Sequence, residues 1–320
     1  MRSPPVLLAL SAFSCLLQLS CAHSNTDPGP SPAGGLEIPS ADKGVQLELK
    51  VTVEPGKEIV VCRELVLPGD TSTEVGRIEH ASSPGTHHVH AYRTSTPPDK
   101  VSPDVFDCGD VAGPLFYTAE KEAESTHFHP DTGIKFAKGE VVRLELHYLN
   151  TGNAEKEADL RLNLWFSGKP LIAEAGSFLM YDHEIAVPPH GSSKARMHCE
   201  IPADIWIMSL LPHVHTHGTA ERITLSGKGL VMPRLLVDSH GYGDLETRTF
   251  DAAPVVVKAG QALDFECEYE NGSDQPLVEG TSPTTAEMCV LLGSYYPRMP
   301  AEAEWCTLPG SGPVPEKPGQ

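Results

Sequence analysis

Basic charge is what this 320-residue chain has least of, with 24 lysines and arginines against 43 aspartates and glutamates and a formal net charge of −19. Nucleic acid and anionic membrane surfaces both call for basic patches, so neither is expected as a partner. The carboxylates are scattered along the chain, which reads as a solvated acidic surface. Long apolar runs are missing too: beyond the N-terminus no stretch could span a membrane. No segment keeps an apolar period of 3.6 residues, so little helix is expected. Several catalytic signatures are also absent, among them a nucleophile elbow, H-E-x-x-H, a phosphate-cradling glycine loop and a Cys-x-x-Cys zinc pair.

The one apolar run, Val6 to Leu19 behind Arg2, has the form of a targeting segment, and residues 1–21 are assigned to it. The chain is therefore expected outside the cytoplasm. Ser20-Cys21-Ala22 offers a small-x-small cleavage site, while Leu19-Ser20-Cys21 resembles a bacterial lipoprotein box with Gln18 where an aliphatic residue is usual. The second is favoured, and would anchor the chain to a membrane through a lipid on Cys21. Residues 22–43, with the Pro/Gly/Ser-rich Ser24 to Gly35, read as a tether.

Of eight cysteines, removal of Cys15 and Cys21 with the leader leaves six: Cys62, Cys108, Cys199, Cys267, Cys289 and Cys306. An even number in an exported chain reads as a disulfide framework. If the two halves are separate domains, Cys62 pairs with Cys108 and the other four have three possible connectivities.

Alternating apolar residues from Val45 to Val53, then Ile59-Val60-Val61-Cys62, with Pro-Gly pairs at 55–56 and 68–69, predict strand, turn, strand. Short β-like runs continue through Arg77-Ile78, His87–Tyr92, Val141–Tyr148 and Asp159–Phe166, and in the second half through Ile205–Leu211, Ala262–Tyr269 and Cys289–Tyr296. With 29 Pro and 28 Gly as punctuation, an all-β chain of antiparallel sandwiches is expected. Ser167-Gly168-Lys169-Pro170 is the expected boundary, giving domains at 44–170 and 171–307 and a loose tail at 308–320.

Chemistry concentrates in the histidines. Leu211-Pro212-His213-Val214-His215-Thr216-His217-Gly218 places three imidazoles within five residues. Alternate side chains of an extended segment share a face, and imidazole is the commonest side-chain metal ligand. Gly85-Thr86-His87-His88-Val89-His90 holds three more, where His88 and His90 share a face and the adjacent His87 and His88 can meet one metal only across a bulge or twist. His147 is a lone imidazole in an alternating strand, which by itself reads as a hydrogen-bonded histidine. His127 and His129 lie in what reads as a loop, Glu124 to Gly133. Met288, beside Cys289, reads as core by default. A thioether is nevertheless a soft ligand, so a His-His-Met set would specify copper.

Taken in order, His-His-Val, Leu-His-Tyr, His-x-His-x-x-Gly and Glu-Met-Cys across two β-rich halves resemble the copper type II, ascorbate-dependent monooxygenases, from Leu47 to Cys306. The resemblance implies two jelly-roll-like β-sandwiches, each holding one copper. His87, His88 and His147 would bind an electron-transfer copper and His213, His215 and Met288 a catalytic, oxygen-binding copper, the two facing each other across a solvent cleft. It implies the pairings Cys62–Cys108, Cys199–Cys306 and Cys267–Cys289, and leaves His90, His127, His129 and His217 off the metals. It also implies O2 and a one-electron donor such as ascorbate as co-substrates in the hydroxylation of an organic molecule.

The departures from the family pattern bear on the substrate. Where peptide-hydroxylating members carry an arginine before H-x-H and an Asn and a Tyr after Glu-Met-Cys, this chain has Leu211-Pro212, Val290 and Leu292. A peptide carboxylate would lose its partners there, a loss of roughly several kcal/mol at a buried site. A small or apolar substrate is expected. The alternative is a non-catalytic copper-binding or copper-handling protein of the same fold.

Overall fold

A computed structural model describes residues 35–307, apart from 70, 110–112, 251–252 and 301–302. The leader, Cys15, Cys21, the first part of the tether and the tail at 308–320 lie outside the described residues. Among those described there is no α-helix, and no helix long and apolar enough to cross a membrane.

The period-2 patterns become strands because each has one face to bury. Gly191–Ile201 alternates almost perfectly between buried and exposed side chains, as a sheet with one wet face requires. In the N-terminal half, one sheet orders Gly44–Val53, Lys156–Phe166, Thr73–Ser82, Thr132–Phe136 and Ala173–Glu174, with Ala123–His127 also on Thr73–Ser82. The sheet facing it orders Phe106–Asp107, Glu58–Val66, Val141–Leu149, Thr86–Arg93 and Leu115–Ala119. Leu49, Ile78, Leu144, Leu146 and Leu160 fill the space between them.

The second half repeats the plan. Its sheets order Arg248–Thr249, Ile205–His213, Val290–Tyr296, Gly176–Tyr181 and Trp305–Thr307, and Gly191–Ile201, Gln261–Asn271, Gly218–Gly227 and Arg234–Ser239. A separate core of Phe178, Ile205, Ile207, Phe265 and Tyr295 lies between them. The chain is all-β and built of antiparallel sandwiches, as its alternation predicts.

Two local expectations differ. The stretch read as a loop from Glu124 to Gly133 contains most of the strand Ala123–His127 and the start of Thr132–Phe136. Glu124-Ser125-Thr126 has no apolar alternation of its own, and it becomes strand by pairing with His80, Glu79 and Ile78. After the connector at 167–170, Ala173–Glu174 still pairs in parallel with Thr132 and Gly133 of the first half. A third, small apolar cluster joins Tyr92 and Leu115 of the first half to Leu211, Val290 and Leu292 of the second.

All three disulfides are those the resemblance implied: Cys62–Cys108, Cys199–Cys306 and Cys267–Cys289. They fit an oxidising, extracytoplasmic compartment.

Candidate metal centre

Five imidazoles from three places in the sequence meet on one side of the N-terminal sheet. Thr86–Arg93 and Val141–Leu149 are antiparallel neighbours with His88 opposite His147. Their alternate residues Val89, Ala91, Leu144 and Leu146 enter the first core, which turns His88, His90, Glu145 and His147 to the other face. The bulge that His87 needs is present: between Thr86 and His88 the register slips against Tyr148 and His147, leaving His87 as the extra residue. Gly85 sets this up at φ +103, where an added Cβ would lie 2.9 Å from the Leu149 carbonyl. Ring centroids of His87 and His88 then stand 4.8 Å from that of His147, and the three offer ligand atoms within 4.8 Å of one another.

The second set is shaped by a turn as well as a strand. Ile205–His213 ends at His213, and His215 sits in the turn that follows rather than on a continuing strand. The Gly218 amide donates to the His215 carbonyl at 2.9 Å. A Cβ on Gly218 would stand 2.6 Å from the Val214 Cβ, which is why a glycine closes this motif.

The segment seventy residues downstream clamps that turn. Glu287, fully buried, accepts the His215 amide hydrogen at 3.0 Å and the His217 amide hydrogen at 2.7 Å. The Ala286 carbonyl lies 3.1 Å from His215 Nδ1, and the Pro283 carbonyl accepts the Thr216 hydroxyl at 2.8 Å. With His213 opposite Val290 in the sheet, Met288 is brought to the same edge. Its carbonyl accepts the Tyr269 hydroxyl at 2.8 Å, and its half-buried side chain packs against the apolar cluster that contains Leu211 and Val290. The Cys267–Cys289 bridge closes 22 residues beside it, a constraint of about 3 kcal/mol on the unfolded chain.

The expected solvent cleft between the two sets is not what the structure shows. Ring centroids separate His87 from His213 by 5.8 Å, His87 from His215 by 5.7 Å and His88 from His213 by 6.0 Å. His147, His213 and His215 are buried, the first and last each 1% exposed, and His87 and His88 are half-buried. The apolar patch of Tyr92, Leu115, Leu211, Val290 and Leu292 closes the halves alongside it. Glu120, just after the strand Leu115–Ala119, stands 2.9 Å from His213 Nδ1.

Two carboxylates orient the rings. Glu120 takes Nδ1 of His213, and Glu58 takes Nε2 of His147 at 2.8 Å. Each leaves the opposite nitrogen for a metal, the arrangement in which a carboxylate fixes the tautomer of a ligating histidine. The Ala286 carbonyl does the same for His215. Burial pushes the pKa of His87 down to about 4 and that of His215 down to about 3, and lowers His147 and His88 as well. Burial acts in the same direction on His213, but Glu120 outweighs it and raises that pKa. His87, His88, His147 and His215 are therefore neutral near pH 7, the form that binds metal. Nε2 of His87 is buried without a hydrogen-bond partner, a ring nitrogen that a metal ion would satisfy. The donor set fits copper.

The remaining histidines lie elsewhere or at the margin. His129 stacks on Tyr296, His127 is on the strand opposite Arg77, and His217 Nδ1 lies 3.3 Å from Glu287. His90 is next to His88, with ring centroids 4.2 Å apart. Glu58, Glu120 and Glu287 were not distinguishable in sequence from surface carboxylates. Only Glu287, adjacent to Met288, carried a local signal.

Part of the chain matches a known family. Residues 173–313 match the family described as copper type II ascorbate-dependent monooxygenase, C-terminal domain. The chain is 31% identical over 196 residues to DBH-like monooxygenase protein 2 of Mus musculus, covering 55% of this chain and 31% of that protein's length. Solved structures align loosely: the major capsid protein P2 of bacteriophage PM2 covers 78% of this chain at 9% identity with a TM-score of 0.34. The Sulfolobus turreted icosahedral virus turret protein A223 covers 78% at 11% identity with a TM-score of 0.19. Scores this low say nothing about the site.

Proposed function

We propose, from a C-terminal half that belongs to the copper type II ascorbate-dependent monooxygenases, that the chain is an exported dicopper monooxygenase. It hydroxylates a small or apolar organic substrate with O2 and a one-electron reductant such as ascorbate. His87, His88 and His147 hold one copper, and His213, His215 and Met288 hold the other. The observation that carries this reading is the meeting of five imidazoles, three buried and two half-buried, with the pKa of four of them lowered by burial, beside the segment that bears Met288.

Bound copper supplies the electron transfers and the oxygen chemistry. The chain's own residues position and exclude. Glu58 and Glu120 fix the His147 and His213 rings, and the Ala286 carbonyl fixes His215. Packing around the cluster keeps bulk water out, which strengthens each of these polar contacts. Leu211, Val290 and Leu292 give the neighbouring wall no charge with which to hold a carboxylate, so the substrate is apolar at that end.

Copper reconstitution of the mature chain, followed by metal analysis and ascorbate-dependent O2 uptake, tests the reading. Met288→Ile should abolish uptake while the His87, His88 and His147 copper is retained. A chain that holds only zinc, or that couples to no reductant, would overturn the catalytic reading. A second reading, a copper-handling protein without catalysis, is favoured by the burial of Leu211, Val290 and Leu292 at 2%, 5% and 1% exposure against Tyr92 and Leu115. Retained copper without reductant-coupled uptake would select it.

A further inference from the structure

The sheet face that carries His88 and His147 continues one step further along both strands. His90 stands opposite Glu145 in the register that puts His88 opposite His147, so the four side chains form two cross-strand pairs on one face. His88 lies between them and presents a different nitrogen to each neighbour. Its Nδ1 is 3.0 Å from Nδ1 of His87, and its Nε2 is 3.4 Å from Oε1 of Glu145. His88, His90 and Glu145 offer ligand atoms within 4.8 Å of one another.

The polar groups there have few other partners. Nδ1 of His90 is buried without a hydrogen-bond partner, in a residue 9% exposed. Glu145 meets Cys62 Sγ at 4.0 Å, but that sulfur is bonded to Cys108 and has no proton to give. Arg143, nearby in sequence, is taken up by Glu64 at 2.8 Å. A half-buried carboxylate whose nearest possible donor is His88 Nε2 at 3.4 Å, and a buried imidazole nitrogen with no partner, are costly unless a cation satisfies both.

We propose that His90, Glu145 and Nε2 of His88 form a further metal position, joined through the His88 ring to the position held by His87 and His147, the ring bridging as an imidazolate whose remaining N–H proton is released to solvent as the second ion binds. A tetrahedral ion with ligand arms of about 2.1 Å has ligand-to-ligand edges of about 3.4 Å, which is the His88–Glu145 separation. Two imidazoles and one carboxylate, with no thiolate or thioether, suit a borderline divalent ion, Zn2+ or Cu2+. Cu(I) would favour softer donors, and Ca2+ or Mg2+ more oxygens.

The test loads the metal-free full chain with Cu2+ or with Zn2+ and counts bound metal per chain in wild type, His90→Phe and Glu145→Gln. The expected result is that each variant binds one equivalent fewer than wild type. The copper-loaded wild type should also show an electron paramagnetic resonance signal that integrates to less than its chemically measured copper, because two Cu2+ ions on one imidazole ring couple. In both variants the signal should recover towards the full copper content. Glu145→Gln conserves shape and supplies the answer if His90→Phe fails to fold. Equal metal counts in wild type and Glu145→Gln, with the same signal in both, would overturn the proposal. Neither readout involves O2 uptake, so failure here leaves the monooxygenase reading intact, and failure of that reading leaves this count unaffected.

Discussion

Glu120 and His213 belong to different halves of the chain, yet the Glu120 carboxylate stands 2.9 Å from His213 Nδ1 with both side chains almost fully buried. The contact fixes the tautomer of one proposed copper ligand from the opposite sandwich, so the halves and the metal site are coupled. Glu120→Gln keeps the shape and removes the charge. Loss of a carboxylate behind a ligating histidine typically lowers metal affinity by about 10–100-fold. That loss is expected for the copper at His213, measured by competition titration, with the copper at His87 and His147 unchanged. Equal weakening of both coppers would instead mean that Glu120 acts on the packing of the halves.

Gly218 is expected to tolerate no side chain. With the Val214 Cβ 2.6 Å from where its own Cβ would stand, Gly218→Ala overpacks the turn that carries His215. Forcing a methyl into a filled site costs about 1–3 kcal/mol, read as a lowered midpoint in urea unfolding. Adding Val214→Ala removes the Cγ2 that also meets the new methyl, so the two losses should sum to less than additive. Additive losses in the double variant would place the strain elsewhere.

Much of this arrangement can be read from residue order, and the unreadable part has a physical reason. The strands follow from period-2 alternation, and the need for a bulge at His87 follows from two adjacent imidazoles on one strand. The strand at Ala123–His127 could not be seen, since its order comes from its partner Thr73–Ser82 and not from its own polar residues. Glu58, Glu120 and Glu287 are three acidic residues among 43, and only tertiary contact separates them from a solvated surface. The closed imidazole cluster in place of a cleft depends on how two sandwiches pack, through Tyr92 and Leu115 against Leu211 and Leu292, and no local pattern encodes that.

His80 supplies a pH dependence away from the metal centre. It is 1% exposed, with Nδ1 2.7 Å from the Tyr117 hydroxyl and Nε2 2.9 Å from the Lys121 carbonyl. Burial pushes its pKa down to about 4, against about 6.5 in an unfolded chain. Between those values the unfolded state binds the extra proton, so stability is complete above about pH 6.5 and falls as pH drops towards 4, by about 3 kcal/mol in all. Urea unfolding at pH 7.5 and pH 5 should show that fall in wild type and a smaller one in His80→Gln. Identical pH slopes would rule out His80 as a source.

Glu287 offers the sharpest separation of the two metal sets, because its fully buried carboxylate accepts the amide hydrogens of both His215 and His217. Glu287→Gln puts an amide NH2 against one of two backbone donors. One N–H then loses its acceptor, at a cost of about 1–3 kcal/mol. The turn holding His215 should loosen while the strand pair holding His88 and His147 keeps its register. Copper bound by His213 and His215 is expected to weaken without change at His87, His88 and His147, and backbone hydrogen exchange should rise at residues 214–218 ahead of 86–93. Exchange that rises equally in both segments would show that Glu287 supports the whole fold and not the geometry of the second set.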